Sequence, residues 1–181
     1  MKKKVSNTII HVDEFPKYNL FLSQVIEFLT DIFDDETYTK NIIQNYIKSE
    51  VISRPLEGKK KGYTKLHLIQ LIFVSYMRPI LSTEEIKEVF RLAFNDINNR
   101  DDDIITWEDA YNIFYKIQNA QIESRDLSIT VDEDKLRSII LDLKVKDEEN
   151  ERIYRFITVL SLVAKASFIK STAKDIIRLN K

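Results

Sequence analysis

The chain has 181 residues, 44% apolar and 31% charged, with a net charge of −1 and no cysteine. That length can bury a substantial interior, and the composition is that of a folded domain rather than a disordered one. The missing cysteines exclude disulfides, thiolate catalysis and thiolate metal sites, and near-neutrality means that any anionic partner must be held by a local patch.

Met1-Lys2-Lys3-Lys4 has the charge of a signal-peptide start, but the apolar stretch at Ile9-Ile10 is too short and Asp13-Glu14 follow at once. The most apolar later segment, Phe156 to Ile169, is interrupted by Lys165 and falls short of the roughly 20 residues a bilayer requires. A cytoplasmic protein with no membrane partner is expected.

Two glycines and three prolines leave few breaks, and the apolar spacing is helical almost throughout. Residues 18–33 carry Phe21, Leu22, Val25, Ile26, Leu29 and Ile32 at three- and four-residue steps, which predicts a first helix. A second is expected over 37–49 with Thr37 as its N-cap. Pro55, Gly58 and Gly62 exclude helix through 53–62. Thr64 can cap a third helix over 65–77, stopped by Pro79, and Ser82-Thr83-Glu84-Glu85 has the capping-box spacing that opens a fourth to about Asn95. A polar linker, Asn98 to Asp103, precedes a fifth helix from Thr106-Trp107 to about Ala120. Residues 121–131 read as irregular, with Leu127, Ile129 and Val131 alternating like a short strand. Helices over about 133–143 and 148–178 complete the chain. The last is apolar on more than one face, as a central bundle helix is, although one stripe could instead meet a second copy in a homodimer.

The reading is mainly α, in three parts: an N-terminal extension over 1–17, a helical module with a basic loop over 18–96, and a C-terminal helical module over 97–181 that serves dimerisation or sensing. Helical spacing puts Thr37, Lys40, Asn41, Gln44, Asn45 and Lys48 on one side of the second helix and Tyr38, Ile42, Ile43, Tyr46 and Ile47 on the other. Asn, Gln and Lys can pair with base edges, and the same residues equally suit a plain solvated face. Gly58 and Gly62 frame Lys59-Lys60-Lys61, with Arg54 and Lys65 alongside. From 36 to 65 seven basic residues face three acidic ones, a net of +4; from 84 to 109 three basic face nine acidic, a net of −6. Such sorting gives a near-neutral chain one anion-facing end.

The order helix, turn, helix, basic loop, helix, with "IQNYIKSEVI", "GYTKLHL" and "LSTEEIKEVF", resembles the winged helix-turn-helix of MerR-type regulators over residues 36–90. That resemblance implies a role for Gln44, Asn45 and Lys48 in the major groove, with Lys59, Lys60, Lys61 and Tyr63 on phosphates. "EFPKYNLFLSQVIEFL", "YTKNIIQNYIKSEVI" and "KKKGYTKLHLIQLIFVSYMRPILSTEEI" resemble an uncharacterised bacterial family catalogued as a domain of unknown function, itself assigned MerR-like helices. Three departures stand out. Glu50 occupies the place of a glycine that ends the MerR-type recognition helix, the first helix reads as longer, and the C-terminal half lacks a single long dimerisation coiled coil.

No EF-hand frame fits Asp96 to Asp109, because Arg100 falls on a ligand position in each register tried. His11 and His67 stand apart, His67 as a boundary residue or phosphate neighbour, and no metal, phosphate-loop or nucleophile-elbow motif is present. The expectation is a non-enzymatic DNA-binding regulator without cofactor or metal. Its contacts to duplex DNA are Lys40, Asn41, Gln44, Asn45, Lys48, Arg54, Lys59, Lys60, Lys61, Tyr63 and Lys65. The alternative is a protein-interaction module using the same basic surface. Neither operator nor effector is legible.

Overall fold

A computed structural model describes residues 9–33, 36–55, 62–124 and 131–179. The chain is mainly helical: α1 (Leu22–Ile32), α2 (Lys40–Lys48), α3 (Lys65–Met77), α4 (Thr83–Arg91), α5 (Trp107–Ser124), α6 (Glu133–Leu141) and α7 (Asp147–Leu179). Among the described residues β structure is limited to two isolated antiparallel bridges, Leu20 with Tyr63 and Phe94 with Asp103. The strand expected through Leu127 and Ile129 lies outside the described residues, and Val131 after it is buried.

α3 is the centre. From His67 to Met77 every residue except Tyr76 is buried, because this helix meets neighbours all round: α1 on one side, α5 and α7 on others. Around Phe73 stand Trp107, Tyr111, Phe114 and Phe156, with ring centroids 5.6 to 6.3 Å away. Trp107 stacks on Phe94 at 3.6 Å. The two modules expected to divide after residue 96 share this one core, whose members range from Ile9 to Ala164. The segment ahead of α1, read as an extension, belongs to it too. Ile9, Val12, Phe15 and Leu20 are buried, and the Tyr111 hydroxyl donates to Ile10 O at 2.8 Å.

Helix ends follow local chemistry. α1 starts at Leu22 rather than 18 because Leu20 is committed to Tyr63 through both backbone bonds, 2.9 Å each. α2 is capped by Thr39, whose hydroxyl accepts from Ile42 N–H at 3.3 Å. Thr37 is unsuited because its carbonyl accepts from Arg78, which also grips Glu36 and lies 4.7 Å above the buried Tyr38 ring. The capping box at Ser82 and Glu85 forms as expected, with bonds of 3.3 and 2.7 Å. α4 ends at Arg91, short of Asn95, where the chain turns so that Ile104 N–H reaches Ala93 O at 3.0 Å.

α7 is 33 residues long, and an 18-residue window in it has a mean hydropathy of 1.4, enough by length and composition to cross a membrane. The helix itself covers the range expected from the sequence, about 148–178. Its Ile153, Phe156, Ile157 and Leu160 are fully enclosed by the bundle, and 33% of that window is buried.

Candidate nucleic-acid interface

α2 buries Ile43 completely and half-buries Ile42, Tyr46 and Ile47, docking on α1. The opposite face carries Lys40, Asn41, Asn45 and Lys48, all exposed, with Gln44 half-buried at its edge. None of these five side chains makes a hydrogen bond or ion pair among the described residues.

The end of α2 is a tight left-handed cap. Glu50 has φ +57°, Glu50 N–H reaches Ile47 O at 3.1 Å and Val51 N–H reaches Tyr46 O at 2.8 Å, the paired bonds of a Schellman turn. This is the position where the sequence comparison expected glycine. Glutamate accepts there a conformation that favours glycine by roughly 1–2 kcal/mol. The turn drives Val51 and Ile52, both without exposure, into the core.

The basic loop then leaves from a fastened stem. Ser53 donates both N–H and hydroxyl to the buried Gln70 Oε1, at 3.0 and 2.9 Å. One turn earlier on α3, His67 joins the two ends of the loop. Its Nδ1 accepts from Thr64 N–H at 3.0 Å, which leaves the proton on Nε2, 3.1 Å from Arg54 O, to be donated there. His67 is therefore a buried clasp and not the boundary residue or phosphate neighbour expected. Burial holds its pKa below the ordinary histidine value, Arg100 lowers it further, and the bond to Arg54 O opposes both. Gly62 has φ +122° and lies so close to the chain ahead of α1 that a Cβ would stand 2.7 Å from Leu20 O. Beyond it Tyr63 is buried, its ring edge-on to His67 at 5.7 Å, with its hydroxyl pKa raised by burial. Tyr63 is therefore an anchor of the stem and does not stand outward as a phosphate contact.

Of the remaining expected contacts, Arg54 is exposed and only loosely paired with Glu50 at 3.9 Å. Lys65 is pulled toward α5 by Glu108 at 3.3 Å. Lys59, Lys60 and Lys61 lie outside the described residues. The charge sorting of the sequence is partly closed up in space. Asn98, in the acidic linker, accepts from Arg54 N–H at 3.1 Å, so the −6 segment abuts the base of the +4 segment. The linker itself is a run of side-chain-capped turns, Asp96 to Asn98 N–H at 2.9 Å and Asn99 to Asp101 N–H at 3.1 Å. No group of metal-ligating side chains is present among the described residues.

Sequence reasoning missed the clasp. The available signal was His67 and Gln70, two polar residues one turn apart in a mostly apolar helix, which must find partners when buried.

The fold and this surface define a mainly helical protein that offers an exposed, lysine- and amide-bearing helix beside a clasped loop. Residues 10–114 match a Domain of unknown function (DUF1836), and the chain belongs to that family. It is similar to the uncharacterised protein YkrK of Bacillus subtilis (strain 168), 29% identical over 93 residues, or 50% of this chain and 39% of that protein. The match thus spans well under half the length of this relative. No solved structure matches.

Proposed function

We propose that this protein is a bacterial transcriptional regulator that binds duplex DNA with a MerR-like winged helix-turn-helix. The observation that carries the reading is the α2 face, where Lys40, Asn41, Gln44, Asn45 and Lys48 stand without partners among the described residues, next to a loop whose stem is fastened by His67 and Gln70. In this reading α2 lies in the major groove and Lys59, Lys60 and Lys61 neutralise phosphates. Tyr63 has a structural part only. The protein acts in the cytoplasm and has no catalytic role.

Log affinity for duplex DNA then falls with log salt by about 0.9 for each phosphate contacted. Substituting Lys59, Lys60 and Lys61 by alanine flattens that slope by roughly two to three. Duplex binding that ignores both salt and the triple substitution refutes the proposal.

A second reading is a protein-interaction module using the same surface. It is favoured by the pairing of Lys65 with Glu108 and of Arg54 with Glu50, which lower the positive potential at the loop's base. As part of the regulator reading we include a homodimer through α7. Leu162, Ile169 and Ile176 repeat every seven residues and are 39, 61 and 59% exposed.

A further inference from the structure

The candidate interface has a neighbour that it does not use. The Leu20–Tyr63 bridge holds the segment 17–21 alongside the end of the lysine loop, with Gly62 in close contact against Leu20. From this strip Tyr18 and Phe21 project with 67 and 70% of their surface exposed, and Phe21 is the most exposed large apolar residue among the described ones. Lys17 is exposed beside them. A cleft of about 510 Å³ opens between this strip and the start of α3, lined by Phe15, Pro16, Lys17, Tyr18, Thr64 and Lys65. Its one carboxylate, Asp13, stands 3.2 Å from the His11 ring.

Leaving two aromatic rings in water beside Lys17 forgoes the free energy their burial would release. A partner that recovers it must present a flat apolar face and negative charge together. An unstacked nucleobase on its phosphate backbone does both, whereas a base inside intact duplex has its two faces already covered. We propose that the strip Lys17–Phe21 is a second nucleic-acid contact, in which Tyr18 and Phe21 stack on bases exposed at a bulged or locally melted step and Lys17 holds the adjoining phosphate. This rests on the DNA-binding reading above and narrows it. The preferred ligand is duplex with a distorted step within reach of the lysine loop, and continuity with that loop follows from the Leu20–Tyr63 bridge.

The test uses the full chain and two labelled duplexes of the same sequence, one intact and one with a small central bulge of unpaired thymines, titrated by fluorescence anisotropy at fixed salt. Alanine substitution at a stacking aromatic typically weakens binding by about fivefold to a hundredfold for each base. The bulged duplex is therefore bound about tenfold tighter or more. Tyr18→Ala and Phe21→Ala each reduce that preference, leaving affinity for intact duplex and its salt slope unchanged, and Tyr18→Phe preserves it. Both side chains are exposed, so retained Trp107 fluorescence identifies folded variants. Equal affinity for the two duplexes, or a preference that survives the double alanine variant, overturns the inference and leaves the regulator reading standing. So does a protein ligand that needs Tyr18 and Phe21 when the bulge confers no advantage. Failure to bind any DNA overturns both.

Discussion

Replacing His67 by glutamine tests the clasp directly. The imidazole meets Thr64 N–H and Arg54 O with its two ring nitrogens, at 3.0 and 3.1 Å, and glutamine cannot span both. Leaving one half-buried backbone group without its partner costs toward the low end of about 1–3 kcal/mol, and the lost bond itself about 1 kcal/mol, so the variant is destabilised by about 2 kcal/mol at pH 7.5. The pH dependence carries a second signature. Because burial lowers the folded pKa below the ordinary 6.5, the unfolded chain takes up this proton first. The His67 contribution is complete above pH 6.5 and is lost as the pH falls toward the folded pKa, at up to about 1.4 kcal/mol per pH unit. Asp103 titrates in the opposite sense over a nearby range. Burial raises its pKa from 3.8 to about 6, so its contribution is lost as the pH rises through 6. The quantity to compare is therefore the difference between wild type and His67→Gln, measured by urea unfolding of the single, buried Trp107 through its fluorescence. That difference shrinks between pH 7.5 and 5. If it stays constant, or if the variant is as stable as wild type at pH 7.5, the clasp argument is wrong.

Asp103→Asn raises stability at pH 7.5 by about 1 kcal/mol. The full pKa shift implies more, but asparagine forfeits the contact of Asp103 with Arg100 at 3.7 Å; a loss of stability in urea titrations would contradict the raised pKa. Glu50→Gly stabilises by about 0.5 kcal/mol, the left-handed penalty relieved minus the extra freedom of glycine in the unfolded chain. Unfolding midpoints that move the other way would show that the cap is not strained. On the face of α7, Ile169→Cys forms an intermolecular disulfide under mild oxidation, because this chain has no other thiol and the residue is 61% exposed on the predicted dimer seam; non-reducing electrophoresis that finds only monomer counts against the homodimer.

Most of the helices were legible in the sequence because they are written in local terms. Apolar spacing marked α3 as Lys65–Met77, and the Ser82–Glu85 pair marked the start of α4. The lysine- and amide-bearing face of α2 was likewise readable, since a 3.6-residue period sorts Lys40, Asn41, Asn45 and Lys48 from Ile43 whatever the helix packs against. The helix starts that were misplaced, α1 at 18 and α2 at Thr37, were set by partners distant in sequence. Tyr63 takes the backbone of Leu20, and Arg78 takes the carbonyl of Thr37.

What remained hidden was every decision made by residues far apart in the chain. An isolated tyrosine after a glycine suits a phosphate contact as well as a core anchor, and only the antiparallel bridge with Leu20 buried Tyr63. A lone histidine at a helix start suits a surface, until a folded loop brings Thr64 N–H and Arg54 O to its two nitrogens. Charge blocks that are separate in sequence need not be separate in space, and the Asn98–Arg54 bond brings them together. Periodicity reports which side of one helix is apolar. It carries no information about what that side, or any unpaired polar group, will meet, because those encounters depend on how the helices are placed against one another.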